Sequence, residues 1–310
     1  MKVLKPKFWD KKVSFLAITL LPFSLIIWLL IMIKKKITTK LDFKIPIICV
    51  GNIYVGGTGK TPLAVILAKE IKLMGKNPAI LKKFYESHQD EHNLIEKNFN
   101  NLILEKNRSI GINKAIEQGF DTVILDDGLQ EYKIKKNFSI VCFNEKQLIG
   151  NGFVFPAGPL REGLNALNNV DIIVINGKEN KNFQKKILKI NPNLSFFYSE
   201  YKLKNYEQFK NKKLLAIAGI GNPSNFFDLL EEKGLVVAKK LIYPDHYEFS
   251  KKELLEFIEI GKKNNYEVVF TEKDYFRIKK YNLSQLKFMQ VELIVPGIEE
   301  IKKKILNIYD

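Results

Sequence analysis

The sequence predicts an α/β protein made of two parallel-sheet units behind an apolar N-terminal helix. Three features of its 310 residues predict this: an uncharged run at 13–33, a glycine-rich turn joining an apolar strand to a helix at 45–75, and recurring strand-then-helix patterning towards the C-terminus. With 46% hydrophobic and 27% charged residues, 18 Gly and 11 Pro, the composition is globular, neither disordered nor collagen-like, and the length suits two domains. The 50 Lys+Arg against 34 Asp+Glu leave a net charge of +16, which favours a polyanionic partner: nucleic acid, a phosphorylated substrate or an anionic membrane surface.

The position of that charge narrows the choice. Residues 1–40 hold nine lysines (2, 5, 7, 11, 12, 34, 35, 36 and 40) and one acid, Asp10, so +8 of the surplus is local. Between the two lysine groups lie 21 residues, VSFLAITLLPFSLIIWLLIMI, with no charge and no polar face. At about 1.5 Å rise per residue such a helix covers a ~30 Å hydrocarbon core. The run ends in three lysines instead of a small-residue cleavage site, so it reads as a retained membrane anchor. Lysines at both ends give no single preferred topology, and Pro22 predicts a kink that splits the run into pieces of nine and eleven residues, each too short to span. Both a tilted single span and a monotopic anchor are compatible with this pattern.

Ile45 to Val50 is an apolar, β-branched run of the kind found in buried parallel strands. A glycine-rich turn follows, then a helix with Pro62 in its first turn, apolar positions at Leu63, Ile66, Leu67, Ile71 and Met74, and a stop at Gly75. Strand, glycine loop, Gly59-Lys60-Thr61 and helix form a phosphate-binding loop, which makes this a P-loop NTPase-type parallel-sheet domain. Val55, Gly56, Gly57, Thr58, Gly59, Lys60, Thr61 and Pro62 are the expected nucleotide-binding residues. The glycines let backbone N–H groups close on phosphate oxygens, Lys60 reaches the β/γ-phosphates and Thr61 offers its hydroxyl to Mg²⁺. Tyr54 stands where the strict pattern has its first glycine. Further on, a strand at Thr122 to Leu125 runs directly into Asp126-Asp127, the carboxylates expected to hold Mg²⁺ at the end of a neighbouring strand.

A strand at 140–144 precedes the turn-rich FPAGPLRE, which is expected to lead into a helix and then another strand; Arg161 in this loop is placed to neutralise phosphoryl charge. From residue 212 onward a second α/β unit is expected, with Ser250 capping a helix. AGIGNPS lacks the third glycine of a dinucleotide fingerprint and reads as a strand-to-helix turn. Two polar motifs are expected in loops: Pro244-Asp245-His246-Tyr247 and Thr271-Glu272-Lys273-Asp274. A histidine beside an aspartate is a possible acid–base element. His88 and His92 bracket Asp90-Glu91 after a strand at Ala79 to Leu81, and local sequence does not choose a base among them. Cys49 and Cys142 lie in apolar runs and, with three histidines and no CxxC or HExxH spacing, read as buried reduced thiols in a cytosolic globular part.

GNIYVGGTGKTP, DDGLQ, FPAGPLRE, AGIGNPSNFF, PDHYEF and TEKD, in this order and spacing behind an apolar N-terminus, resemble the tetraacyldisaccharide 4'-kinase family over residues 14–295. That resemblance implies transfer of the ATP γ-phosphate to the 4'-hydroxyl of a tetraacylated glucosamine disaccharide 1-phosphate at the cytoplasmic face of the inner membrane, yielding lipid IVA. It implies ATP and Mg²⁺ as cofactors, Lys60 and Thr61 as phosphate and metal residues, and Asp126-Asp127 as the second acidic motif. It also implies Asp90 as the base on the sugar hydroxyl, His246 as its partner, Arg161 near the transferred phosphate and, less directly, Arg108. The chain departs from the family pattern at Gln89-Asp90-Glu91-His92, where GDEP is usual, in LKKFYES, which shortens an SRGYG-containing loop, and at Glu131, where a histidine is usual.

The resulting expectation is a membrane-anchored P-loop kinase: anchor and basic flanks at 1–40, a P-loop domain at 41–165 and a second α/β domain at 166–310 that closes over the active site. The lipid substrate and an anionic inner-membrane surface are its expected partners. The rival from another class is a membrane-tethered regulatory P-loop NTPase, which leaves PDHY and AGPLRE without a purpose. Nucleic acid is disfavoured, because half the surplus charge flanks the apolar segment instead of forming an aromatic-interleaved patch.

Overall fold

The computed structural model describes residues 6–11, 14–86 and 89–309, and within them the α/β expectation is met. In chain order the elements are α1 (Phe15–Ile37), β1 (Ile47–Gly51), α2 (Lys60–Leu73), β2 (Pro78–Lys83), α3 (Gln89–Asn98), β3 (Leu102–Glu105), α4 (Arg108–Glu117), β4 (Thr122–Asp126), β5 (Phe138–Asn144), β6 (Ile172–Asn176), α5 (Lys181–Leu188) and β7 (Ser195–Leu203). There follow β8 (Lys213–Ala218), α6 (Pro223–Glu232), β9 (Val236–Ile242), α7 (Lys251–Asn264), β10 (Tyr266–Thr271), α8 (Glu272–Ile278), β11 (Lys287–Met289), β12 (Val291–Ile294) and α9 (Ile298–Leu306).

The chain divides into two compact units whose boundaries differ from the 41–165 and 166–310 division. The larger takes in α1, continues through 84, resumes at Phe99–Glu200 and regains the C-terminal segment from Val295. The smaller consists of Tyr85–Asn98, which carries α3, and Tyr201–Ile294. Sheet continuity explains the late boundary: β6 and β7 extend the first sheet in parallel register, Ile140 opposite Ile172 and Ile172 opposite Ser195, so no break falls near 165.

In the larger unit the strands run β7-β6-β5-β1-β4-β2-β3, all parallel. The inner strands are buried on both faces, which is why they read as unbroken apolar runs instead of alternating ones. Ile47, Ala79, Leu81, Val123 and Leu125 pack with Ile112 and Ala115 of α4, and Cys49, Val141, Phe143, Ile173 and Ile175 with Phe183 and Ile187 of α5; the strand register puts both groups on the same face of the sheet. The sequence pattern mistook one connection. After FPAGPLRE the chain forms only a short 3₁₀ turn, Leu164–Asn169, instead of a full helix.

The smaller unit has a parallel sheet in the order β11-β10-β8-β9. Ser250 does cap α7, in a reciprocal box with Glu253. TEKD lies at a helix start instead of in a loop: Thr271 ends β10, and its hydroxyl accepts the Asp274 N–H at 3.1 Å, opening α8.

The anchor segment is one continuous helix through Pro22, not two pieces. A proline removes a single ladder hydrogen bond, and here the helix is supported along a narrow stripe. Ala17 and Ser24 are buried, with Leu20, Leu21, Ile27, Trp28 and Ile31 half-buried along the same stripe at three- and four-residue spacing. Ser24 is the polar pin of this stripe: its hydroxyl donates to the Val154 carbonyl at 2.8 Å and accepts from the Ala157 N–H at 2.9 Å. The remaining faces, including Phe23, Leu25, Ile26, Leu30 and Ile33, are apolar and exposed. Ser24→Val leaves the buried Ala157 N–H unsatisfied and the Val154 carbonyl with only its Gly158 N–H donor, at about 2 kcal/mol, and is expected to lower the thermal midpoint by roughly 5 °C. A midpoint equal to wild type in differential scanning calorimetry contradicts the pin.

Candidate active site

The phosphate loop leaves β1 and enters α2 through Gly59, whose φ of 89° lies in the left-handed region that favours glycine; Gly56, at φ 131°, is a second such position. Tyr54 explains its own departure from the glycine pattern. It is outside the set of positive-φ positions, and its ring is fully buried among Ile53, Val154 and Leu160. The loop is fastened to FPAGPLRE by backbone hydrogen bonds: the Val55 N–H donates to the Pro159 carbonyl at 2.8 Å and the Arg161 N–H to the Ile53 carbonyl at 2.7 Å. Asn52 shapes its inside, donating to the Gly56 carbonyl at 3.2 Å and the Thr58 hydroxyl at 3.0 Å.

These ties bring Lys60, Thr61, Asp126, Asp127 and Arg161 together. Val50 of β1 lies in register with Asp126 of β4, so the acidic strand end sits beside the loop. Thr61 Oγ1 donates to Asp126 Oδ2 at 2.8 Å. Asp127 is turned the other way, at φ 57°, where Arg161 Nη1 donates to both of its oxygens at 2.8 and 3.0 Å and Lys60 Nζ stands 3.7 Å away. Burial pushes the Asp127 carboxyl up, but Lys60 and Arg161 outweigh it and hold it at about 2. Burial pulls the Lys60 ammonium below its ordinary value despite Asp127.

Three further residues of this site, Lys82, Gln130 and Glu162, were given no role from the sequence, and Arg108 entered only through the family resemblance. Lys82 lies opposite Asp126 in the β2–β4 register and donates to its Oδ2 at 2.5 Å; a lysine in an apolar strand was the only hint. Arg108, the first residue of α4, donates to the Asp126 and Asp127 carbonyls at 3.1 and 2.8 Å. Gln130 donates to the Asn52 carbonyl and to Glu162, and the buried Glu162 also accepts from Tyr132 and pairs with Lys35 of α1. Burial and the Glu162 charge together push the Tyr132 phenol up.

The residues fit a divalent cation. Asp126 is fully buried, yet its Oδ1 has no hydrogen-bond partner among the described residues and stands on the same carboxylate as the oxygen facing Thr61. A hydroxyl and one open carboxylate oxygen suit a hard ion that keeps most of its ligands as water and phosphate oxygen. No group of three or more His, Cys, Asp or Glu side chains is poised for a metal among the described residues, and Asp127 is committed to Arg161 and Lys60.

A second cluster lies wholly in the smaller unit. Asp90, the second residue of α3, is 2% exposed. Its Oδ1 faces His246 Nδ1 at 3.3 Å, while its Oδ2 accepts from Arg277 Nη2 at 2.5 Å with Lys273 Nζ at 3.5 Å. Lys273 also reaches Glu91 at 2.9 Å and Asp245 at 3.3 Å. Burial pushes the Asp90 carboxyl up, but the His246 hydrogen bond and the Lys273 and Arg277 charges outweigh it and hold it well below the usual carboxylate range. An ionised carboxylate only accepts, so Nδ1 of the imidazole carries the proton. His246, at φ 58°, is held on a tight turn. The alternative base His88 lies outside the described residues. Cys49 and Cys142 are buried and free, and burial pushes their thiols up to about 11 and about 12, so neither is a nucleophile.

A phosphate loop on a parallel sheet, a cation-ready strand end and a separate carboxylate–imidazole pair define a P-loop phosphotransferase. The comparisons agree. The family model described as tetraacyldisaccharide-1-P 4'-kinase matches residues 16–309. The chain is 40% identical to a tetraacyldisaccharide 4'-kinase of Pelagibacter ubique and 33% identical to one of Rickettsia peacockii, each over 99% of both chains. The crystal structure of LpxK from Aquifex aeolicus in complex with ATP superposes with a TM-score of 0.73 at 23% identity, covering 96% of this chain and 100% of that one. The chain belongs to the tetraacyldisaccharide 4'-kinase family.

The charges that hold Asp127 make part of the stability pH-dependent. Its folded value of about 2 lies below its ordinary 3.8, so its contribution is complete above pH ~4 and is lost as pH falls through ~2. Asp127→Asn is expected to flatten the acid limb of urea midpoint against pH over that window; a limb identical to wild type contradicts the assignment.

Proposed function

We propose that the chain phosphorylates the 4'-hydroxyl of a tetraacyl glucosamine disaccharide 1-phosphate with ATP, forming lipid IVA, with Lys60, Arg161, Asp90 and His246 as the working side chains. Family membership carries the reaction, and the observation that carries the residue roles is the separation of two pre-set clusters: cations on a phosphate loop, and a buried ionised carboxylate on an imidazole. ATP with Mg²⁺ is the donor. Gly56 to Thr61 offer the polyphosphate backbone N–H groups, flanked by Val55, whose N–H is held by the Pro159 carbonyl, and Pro62, which has none; Lys60 contacts the β/γ-phosphates, and Arg161 neutralises charge on the group in transfer. Thr61 and Asp126 would hold Mg²⁺, with Asp127 fixing Lys60 and Arg161 beside it; the ion, when bound, offsets the charge of the phosphate oxygens.

The Asp90–His246 pair takes the proton of the 4'-hydroxyl. That oxygen bonds to the γ-phosphorus as the bond from phosphorus to the bridging oxygen of ADP breaks. The pair shares one hydrogen bond and therefore carries the proton as a unit. In this reading one substrate is taken by each unit of the chain. No observation favours a purely regulatory NTPase.

The site is at the cytoplasmic face of the inner membrane in this reading. A tetra-acylated substrate leaves the bilayer at a cost of about 0.8 kcal/mol per CH₂, so the enzyme works at the interface. The exposed apolar faces of α1 supply the contact, and Lys34, Lys35 and Lys36 at its end meet anionic headgroups, each contributing on the order of 1 kcal/mol. The basic surplus serves lipid and nucleotide phosphates, with no nucleic-acid role.

Incubation with γ-labelled ATP and the lipid disaccharide is expected to yield a doubly phosphorylated lipid, and Lys60→Ala to reduce turnover at least ~10³-fold with an unchanged circular dichroism spectrum. Wild-type-like turnover in that variant removes the phosphate-loop role. The double substitution Phe23→Asp/Leu30→Asp leaves the docked stripe of α1 alone. It is expected to abolish flotation with anionic vesicles, and retained binding moves the membrane contact elsewhere.

A further inference from the structure

Two motifs of the smaller unit, AGIGNP and TEKD, are left without work by the reaction as described, and both converge on one buried arginine. Arg277, on the last turn of α8, donates from Nη1 to Asp274 Oδ1 at 2.7 Å and to the Gly219 carbonyl at 3.0 Å, and from Nη2 to Asp90 Oδ2 at 2.5 Å. Asp274 is itself fixed, its Oδ2 accepting the Gly219 N–H at 2.8 Å and the Thr271 hydroxyl at 2.6 Å. There is little slack at the junction. A Cβ on Gly219 would stand 3.0 Å from Asp274 Oδ1 and 3.3 Å from the Pro244 carbonyl. The guanidinium thus spans a rigid brace on one side and Asp90 on the other, a geometry that suits its planar fork and not a single amine.

We propose that Arg277 is a positioning residue of the phosphotransfer site: braced by Asp274 and Gly219, it holds one oxygen of Asp90 so that the carboxylate stays anionic and its other oxygen stays on His246 Nδ1. The proposal rests on the Asp90–His246 pair being the proton acceptor. Among the described residues, the charged and titratable groups facing Asp90 are His246, Lys273 and Arg277, with Glu91, Asp245 and Asp274 one contact further out. Lys273 does not substitute for Arg277. Its ammonium is 3.5 Å from Asp90 but closer to Glu91 and Asp245, which engage its charge first. The Arg277 fork is divided between Asp90 and a carboxylate already saturated by two other donors. The same brace accounts for a glycine after β8 and for Thr271 and Asp274 at the start of α8.

The test measures kcat and ATP KM against pH for the full chain in detergent micelles, with γ-labelled ATP and the disaccharide acceptor. The base must be unprotonated to act, and removing a cation favours its protonated form. Arg277→Gln is therefore expected to move the acid limb of kcat up by about one pH unit and to lower kcat at pH 7 by about 10-fold or more, with ATP KM within about twofold of wild type. Arg277→Lys keeps the charge without the fork and is expected to leave the limb in place with an intermediate kcat. An unmoved limb in Arg277→Gln overturns the proposal, whether or not kcat or the thermal midpoint falls. If Arg277→Gln does not fold, Arg277→Lys decides: wild-type kcat overturns the positioning role, and an intermediate value upholds it. Asp90→Asn and His246→Gln are run alongside. Near-wild-type kcat in both overturns the underlying pair, and the proposal with it, whereas collapse in both with an unmoved limb in Arg277→Gln removes only the role of Arg277.

Discussion

The buried carboxylates at the end of β4 impose the arrangement of the phosphate site. Asp126 and Asp127 are adjacent in sequence, and Asp126 is wholly out of water. A lone anion there costs several kcal/mol, so each must be met by cations or donors. The chain meets them in opposite directions: Lys82 and Thr61 on Asp126, Arg161 and Lys60 on Asp127, and Arg108 across the two backbone carbonyls. Because Asp127 points away from Asp126, the two negative charges do not compete for one counter-ion. The groups that stabilise the fold here are also those that a polyphosphate requires, so the site is preorganised before any nucleotide enters it.

The same constraint reaches α1. Arg161 is held by Asp127 and by Gln130 at 3.3 Å, Gln130 also donates to the buried Glu162, and Glu162 takes Lys35 of α1. Ser24 meanwhile is pinned to the loop that carries Arg161. A helix whose faces are mostly exposed and apolar is thus fixed to the phosphate-binding loop at two points by polar contacts, while Ile27 and Trp28 join the core beside it. Solvation explains the division of labour. The polar pins hold in any surroundings, and the exposed apolar faces gain most from apolar ones.

How far these features could be read from the sequence depends on the range of the interactions behind them. The phosphate loop was legible through Gly59-Lys60-Thr61, despite Tyr54, because its parts are contiguous and a buried strand precedes it. Asp126 and Asp127 were legible for the same reason. Lys82 and Arg277 were not, since their carboxylate partners lie 44 and 187 residues away and no local period marks such pairs. The shortened segment before Asp90 hid less than it threatened: α3 still delivers that residue to the PDHY turn, because Arg277 and Lys97 of the α3–α8 pair are matched by Asp90 and Glu272. Two errors came from treating local chemistry as decisive. Pro22 does not break a helix supported along its length, and the residues after FPAGPLRE form a 3₁₀ turn where their spacing suggested a full helix.

Asp127 is held unequally by its two cations. Arg161 contacts both carboxylate oxygens at hydrogen-bond distance, whereas Lys60 stands 3.7 Å from one of them and loses solvation without gaining a full hydrogen bond. Burial accordingly lowers the proton affinity of Lys60 even beside an anion. A weakly compensated ammonium gains most from a new anionic neighbour. Arg161 has its contacts made, two charge-assisted hydrogen bonds that neutralise the Asp127 carboxylate. The distances therefore set the two cations apart: Arg161 is paired with both oxygens of Asp127, and Lys60 is under-compensated.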